Sequence, residues 1–434
     1  MPFLDRIQMW LAVSHSHGRD FLFAYGRSLA SYVFFVQSHL LFGVRRNRRA
    51  VPLLLKASRY SDSRRFLRTM RRRLPEIMAE APALLPAPVP VSDLGSRCLV
   101  LAEPMISDGR VERKGVLLAS FSATGGRLFV SADREELFEK FHIVLEPSWA
   151  GYGDPEILAW LNYPEPVIVQ ATEQRDRVLL QELGANLIPV EYGAGDWIDP
   201  EKFTPVSAPN PSSYNAVSIA NYGWWKRNHC FVKAVAEAAR EMPGYRAALI
   251  LARLGKTAVS ATRLRSLIAY HGVEANLDIL ESLPHPEIQS ILSSADVLVF
   301  TSRKEGSSRV IFEAMCCDCP VIVLKENIGV NKSYINEDTG KLVTADRVAT
   351  SMLEFRKAEQ KQSPRAWYIA HLGPLNTTRK LTKDIQRLFP NEIWRDGDIT
   401  VKANIPEARY LYAEAPLRPL SHWLRSSYAE RQSR

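Results

Sequence analysis

The stretch TSRKEGSSRVIFEAMCCDCP, residues 301–320, decides the reading of this chain. It closes an apolar run, DVLVFT, that predicts a buried strand ending at Thr301. A short polar loop follows, and a helix is expected to start near Ser307 or Ser308. Backbone N–H groups at a helix start lack intrahelical partners and carry partial positive charge, which suits phosphate oxygens. Gly306 lets a ligand approach the backbone closely. Glu305 lies in the loop, and Glu313 lies eight residues later on the helix, about 8–12 Å further along its axis at 1.5 Å per residue.

Two carboxylates around a phosphate-binding turn are an odd choice for a ligand that is only an anion. They suit a ligand with hydroxyls at both ends and phosphates between, because a carboxylate accepts two hydrogen bonds from a vicinal diol. A nucleotide sugar has that layout. Lys226, Arg227, Arg303, Lys304 and Arg309 are the cations available to offset its charge.

Outward from this stretch, apolar runs alternate with helical patterns. Strands are expected at Ala216–Ala220, Ala247–Leu251, Leu277–Leu280, Val297–Thr301 and Pro320–Leu324. Helices are expected at Phe231–Glu241, Ser260–Tyr270, Pro286–Leu292, Ser308–Met315 and Arg347–Phe355. A Pro- and Ser-rich linker, Phe203–Ser213, separates this series from an earlier one. The earlier one has strands expected at Arg97–Ala102, Gly115–Phe121, Arg127–Ser131, His142–Glu146, Val167–Gln170 and Asn186–Val190, and helices at Arg134–Lys140, Asp154–Leu161 and Glu173–Leu183. Two such series predict an α/β protein of two Rossmann-like parallel-sheet domains facing across a cleft. The expected division is 1–90, a basic helical extension ending in the linker Ala81–Pro90; 91–205, the first sheet domain; 206–390, the second; and 391–434, a tail packing back on the first.

The chain has 434 residues, 46% hydrophobic and 24% charged, which excludes wholesale disorder, collagen and coiled coil. Its net charge of +9 is local: Arg45 to Arg73 holds 12 Lys/Arg against Asp62, or +11, leaving the remainder at −2. Before this stripe, Ser28–Val44 is 17 uncharged, mainly apolar residues, at the lower limit for a membrane span. A packed helix beside a solvated basic one, a peripheral contact with an anionic membrane through residues 21–73, and a true span all fit this pattern. No zinc-finger spacing or single-strand-binding aromatic pattern accompanies the arginines, so nucleic acid is not expected. Five cysteines, three of them at 316, 317 and 319, do not form a disulfide framework. They and the absence of a signal-peptide pattern in Met1–Asp20 point to the cytoplasm.

The motif Glu-x7-Glu, read as Glu305-Gly306-Ser307-Ser308 through Glu313-Ala314-Met315 and then Pro320-Val321-Ile322, resembles the donor site of retaining GT-B glycosyltransferases of the group 1, or family 4, type. Ser282–Gly306 and Gly329–Val343 resemble the flanking segments of that family, and the resemblance extends over about Asn215–Phe389. It implies that Glu305 contacts the transferred sugar and Glu313 the nucleotide ribose. Backbone groups of Gly306, Ser307 and Ser308, with Arg309, would hold sugar hydroxyls or phosphate. Lys226, with Arg227 beside it, falls where the family neutralises the diphosphate leaving group. Leu283 and Pro284 fall where the base is held, and Thr124-Gly125-Gly126 where a glycine turn faces the donor phosphates. A UDP- or GDP-sugar is the implied donor, with no metal and no cofactor. A saccharide or lipid-linked molecule is the implied acceptor, on the inner face of the membrane if the extension binds there.

Two positions depart from the family. Asn221 stands where an arginine is frequent, and Asp318 where a glycine follows the helix. They keep open a catalytically idle sugar- or membrane-binding scaffold, and a nucleotide-sugar epimerase of the same fold is a further alternative. Cys316, Cys317 and Cys319 lack a fourth ligand at zinc spacing. Gly255-Lys256-Thr257 lacks the first glycine of a phosphate loop, since Ile250 stands there. On the acceptor side, Trp149 and Tyr152 are candidates for stacking on a sugar, with Asp154 beside them; plain loop packing fits equally.

Overall fold

The computed structural model describes residues 14, 15, 18, 26–61, 63–88, 94, 97–131, 133–147, 151–206, 214–358, 363–405, 407–411 and 420. They fall into two compact units, one drawn from 24–197 and 374–434, the other from 1–23 and 198–373.

The first unit opens with four helices: α1 (Arg27–Gly43), α2 (Asn47–Tyr60), α3 (Arg64–Arg72) and α4 (Leu74–Glu80). Strands β1 (Cys98–Ala102), β2 (Met105–Ser107), β3 (Arg110–Arg113) and β4 (Gly115–Ser120) follow, then α5 (Ser122–Phe129), α6 (Arg134–Lys140), β5 (Phe141–Glu146), α7 (Pro155–Leu158), β6 (Val167–Gln170), α8 (Gln174–Leu183) and β7 (Leu187–Val190). The sheet order is β1-β4-β5-β6-β7. Strands β4 to β7 run parallel, whereas β1 pairs antiparallel with β4. The link between β1 and β4 contains no helix to carry a crossover. Instead β2 and β3 form a hairpin that turns at Asp108 and Gly109, at φ 50° and 76°, the backbone that an Asp-Gly turn supplies. The expected strand Arg127–Ser131 is corrected: Arg127, Leu128 and Phe129 complete α5, and Phe129 packs edge-on against Trp160 at 5.3 Å.

The second unit contains β8 (Ala216–Asn221), α9 (Asn228–Glu241), β9 (Ala247–Ala252), α10 (Ala258–His271), β10 (Leu277–Glu281), α11 (His285–Ser294), β11 (Val297–Phe300), α12 (Arg309–Cys316), β12 (Val321–Leu324), β13 (Gly340–Val343), α13 (Val348–Lys357) and α14 (Pro364–His371). All six strands are parallel, in the order β10-β9-β8-β11-β12-β13. Strands β9, β11 and β12 read as unbroken apolar runs because both faces are covered. The edge strand β13 was not anticipated, since Lys341 interrupts an apolar pattern only four residues long.

The chain then returns to the first unit through α15 (Pro374–Leu388) and a two-stranded ribbon, β14 (Lys402–Ile405) and β15 (Glu407–Tyr410). Period-two alternation explains the layering. Leu117 and Ala119 of β4 enter a core shared with Phe35, Leu54 and Phe66 of the basic extension, whereas Val116 and Leu118 enter one shared with Leu381, Ile385 and Trp394. Buried polar pairs tie this return in place. Lys402, fully buried, pairs with Glu146, which also accepts from Ser120 at 3.1 Å. His142 stacks on Phe389 at 3.5 Å and bonds Glu392 at 2.9 Å. Burial alone would lower the His142 pKa, but Glu165 and Glu392 outweigh it and raise it.

Candidate active site

Strands β8 and β11 are hydrogen-bonded neighbours, and the strand order reverses between them. In open α/β sheets ligands bind beyond the carboxyl ends of strands at such a reversal. Here the loops after β8 and β11 meet there. Lys226 ion-pairs with Glu305, and Ser302 donates its hydroxyl to the same Glu305 oxygen. Further bonds join the loops: Thr301 Oγ1 donates to the Lys226 carbonyl at 2.8 Å, and the Arg303 N–H to the Trp225 carbonyl at 2.7 Å.

The Glu305 loop is also clamped from the far side. Its N–H donates to the Ile328 carbonyl at 2.8 Å, the Ile328 N–H returns to the Arg303 carbonyl at 3.0 Å, and Asn327 Nδ2 donates to the Ser302 carbonyl at 2.6 Å. Gly329 sits at φ 115°, where a Cβ would lie 1.8 Å from the Glu305 carbonyl oxygen. Ser302, Asn327 and Gly329 were missed by sequence reasoning. Ser302 and Gly329 lie in segments already noted, without a role assigned, whereas Asn327 lies in none.

Helix α12 begins directly after Gly306, Ser307 and Ser308, and Ser308 does not cap it with its side chain. The first-turn N–H groups are thus not consumed by that hydroxyl. Arg309 is exposed on this turn. Glu313, one turn later, is buried on the same helix; burial pushes its carboxyl up from the ordinary range, with Arg309 opposing. A buried carboxyl with a displaced pKa is a functional-site signal. It also makes a prediction. An acid whose folded pKa is raised contributes stability below its unfolded pKa, about 4.5, which is lost as pH rises through the folded value. Glu313→Gln should therefore melt higher than the parent chain by a few degrees at neutral pH, with the gap closing near pH 4. Melting curves from pH 4 to 8 check this; an equal gap at all pH values refutes it.

The two departures have structural roles. Asn221 Oδ1 accepts from the Gly223 N–H at 2.8 Å, forming the turn after β8. Asp318 adopts φ 60°, the left-handed conformation that ends α12, and its carboxylate accepts from the Arg365 N–H at 3.1 Å. Aspartate is among the few non-glycine residues that tolerate this conformation. Arg227, also left-handed at φ 52°, bonds Glu326 at 3.0 Å. Leu283 is half-buried and Pro284 exposed, preceding α11 after the end of β10. Cys316, Cys317 and Cys319 are core residues; burial raises all three thiols, Cys317 to about 12.

In the first unit the expectations are corrected. Gly125 and Gly126 lie inside α5 rather than in a glycine turn, packed against Leu145 and Glu156. Tyr152 is 4% exposed, within the core, and donates to the Gln170 carbonyl, so its ring offers no face to a sugar. Asp154 caps α7 and ion-pairs with Arg59 of α2 at 2.7 Å. Trp149 lies outside the described residues.

Residues 200–369 match the family described as Glycosyl transferases group 1. That segment, well under half of the 434 residues, is what is similar to the family. The matched residues lie in the sheet unit that holds Lys226, Glu305 and Glu313. Among solved structures, HepE from Anabaena, in complex with UDP, is 18% identical, with a TM-score of 0.50 over 64% of this chain and 79% of that one. The sucrose-phosphate synthase of Thermosynechococcus elongatus is 14% identical, with a TM-score of 0.49 over 75% and 80%. The pneumococcal O-GlcNAc transferase GtfA, in complex with UDP and GlcNAc, is 16% identical, with a TM-score of 0.48; this chain covers only 57% of its length. At 18% identity the likeness to HepE is one of fold alone, and the fold is GT-B. Comparison with curated proteins gives no match.

Proposed function

We propose that this chain is a retaining, metal-independent glycosyltransferase that moves a sugar from a UDP- or GDP-sugar to a saccharide or lipid-linked acceptor. The observation that carries the reading is the Lys226–Glu305 pair at the reversal between β8 and β11, with buried Glu313 on the helix that follows. Lys226, with Arg227 behind it, offsets the charge that grows on the diphosphate as the anomeric C–O bond breaks, a fixed cation where charge develops. Glu305 accepts from hydroxyls of the transferred sugar and Glu313 from the ribose diol. The N–H groups after Gly306, Ser307 and Ser308, with Arg309, receive phosphate oxygens, and Leu283 with Pro284 lies along the base. The acceptor hydroxyl forms the new bond on the face the leaving group vacates, and its proton passes to a donor phosphate oxygen. The reading places the chain in the cytoplasm, and on the inner face of the membrane if the basic extension binds there.

Thermal melting with UDP-, GDP-, ADP- and TDP-sugars tests the donor. A ligand that binds only the folded state at 100 times its Kd adds about 2.7 kcal/mol. A rise in Tm with UDP- or GDP-sugar, absent in Glu313→Ala, is expected. No rise with any donor would overturn the reading.

A further inference from the structure

Helix α1 buries two serines while it leaves an apolar stripe in solvent. Its buried face carries Ser31 and Ser38, both fully enclosed, with Phe35 and Phe42. Each serine hydroxyl donates to a carbonyl of its own helix, Ser31 to Ser28 and Ser38 to Phe35, both at 2.7 Å. The solvent face carries Leu29, Tyr32, Val33, Val36 and Leu40, with Leu29 69% and Leu40 68% exposed. At 100° per residue these five fall within an arc of about 100°, the width of a stripe made to be buried. No charge occurs between Arg27 and Arg45. Of the 18 exposed large apolar side chains among the described residues, six lie between Leu29 and Val44. Contiguous exposed apolar surface of this kind marks an interaction site.

Charge selects the occupant. Arg45, Arg46, Arg48 and Arg49 follow the stripe directly and are exposed. Helix α3 lies alongside, Phe66 stacking on Phe35 at 4.3 Å, and places the exposed Arg65 guanidinium 5.5 Å over the Phe35 ring. A second copy of the chain would bring two segments of +11 together, which disfavours self-association. Spanning is also disfavoured: no helix among the described residues is long and apolar enough to cross a membrane, and the other face of α1 is bedded in the core of the first unit.

We infer that the solvent face of α1, with the arginines that follow it, docks on an anionic lipid bilayer, the helix lying in the plane of the interface. Apolar side chains enter the headgroup region while the arginines meet lipid phosphates. Docking would orient the whole first unit, because α2 is bolted to it: Arg59 donates to the Gly153 carbonyl at 2.8 Å and pairs with Asp154, and Arg175 donates to the Arg59 carbonyl at 2.6 Å. The inference specifies the surface behind the peripheral placement in the proposed function, yet it stands on α1 to α3 alone.

Vesicle co-sedimentation of the full chain tests it, with neutral phosphatidylcholine vesicles and vesicles containing about 30% phosphatidylglycerol. Binding to the anionic vesicles is expected to exceed neutral binding about tenfold or more and to weaken in high salt. Leu29→Gln/Val36→Gln/Leu40→Gln, which keeps good helix formers, should lose about tenfold or more in binding with an unchanged Tm. Arg45→Gln/Arg46→Gln/Arg48→Gln/Arg49→Gln should reduce anionic binding to the neutral level. The inference is overturned if the parent chain ignores vesicles, if the apolar variant binds like the parent, or if the parent is a dimer that this variant dissociates. Donor-induced melting shifts, measured in parallel without vesicles, report separately on the proposed function.

Discussion

Lys226→Met is expected to lower kcat by about 10²–10³-fold, the range found when one fixed charge-stabilising group is removed from a transition state. Methionine keeps the length of the side chain and removes the cation. The same change leaves Glu305, only 15% exposed, without its counter-ion. A carboxylate left unpaired in a mostly buried place costs more than the pair was worth, so Lys226→Met should also lower the Tm. The pair can be separated from the chemistry by a double variant. Lys226→Met/Glu305→Gln removes both charges, and it should recover most of the lost stability while recovering no turnover. Activity in the double variant near the parent level would remove Lys226 and Glu305 from the mechanism. Stability that fails to recover would mean that the two side chains contribute independently.

Gly329→Ala is expected to destabilise the second unit by about 3–5 kcal/mol, combining a left-handed backbone with a clash that must displace main chain. The added Cβ would lie 1.8 Å from the Glu305 carbonyl oxygen and 2.6 Å from its carbon, at φ 115°. No side-chain rotation can relieve contact with a carbonyl, so the 326–329 loop must move away from the Glu305 loop. The N–H of Glu305 then loses its bond to Ile328, and the carboxylate loses its fixed position relative to Lys226. At about 2–4 °C per kcal/mol for a domain of this size, the Tm should fall by roughly 6–20 °C, with turnover lost in the molecules that remain folded. Gly244→Ala is the matched control, since a Cβ there meets nothing within 4 Å, and it should stay within about 0.5 kcal/mol of the parent. A Gly329→Ala chain that melts and turns over like the control would show that the two loops are not held together.

Much of the architecture is legible because its cause is local. The run Val297–Phe300, buried throughout, is too short for a buried helix and reads as strand, and the polar loop after it marks the break before the next helix. Elements fail to show where a neighbour decides them. Leu128 and Phe129 read as strand by composition, but they continue a helix that starts at Ser122 and bury against Trp160 and the rest of that core. Strand β1 runs antiparallel because the Asp108-Gly109 turn sends the chain back, a signal present in the residues and outweighed by the expectation of uniform crossovers. Tyr152 and Asp154 look like sugar-contacting residues in a loop. They are instead the core anchor and the ion-pair partner of a helix about 95 residues earlier in the sequence, and spacing cannot reveal that partnership.

The α/β alternation, the Glu305–Glu313 spacing on one loop and helix, and the localised +11 stripe are legible before folding, each a property of residues near one another along the chain. Folding alone brings Lys226 to Glu305 across 79 positions, lets two loops touch at Gly329, and turns Ser31 and Ser38 of α1 inward and Leu29 and Leu40 outward. Strand order and core packing set these contacts. Both arise from the competition of every apolar surface in the unit for burial, which local pattern does not record.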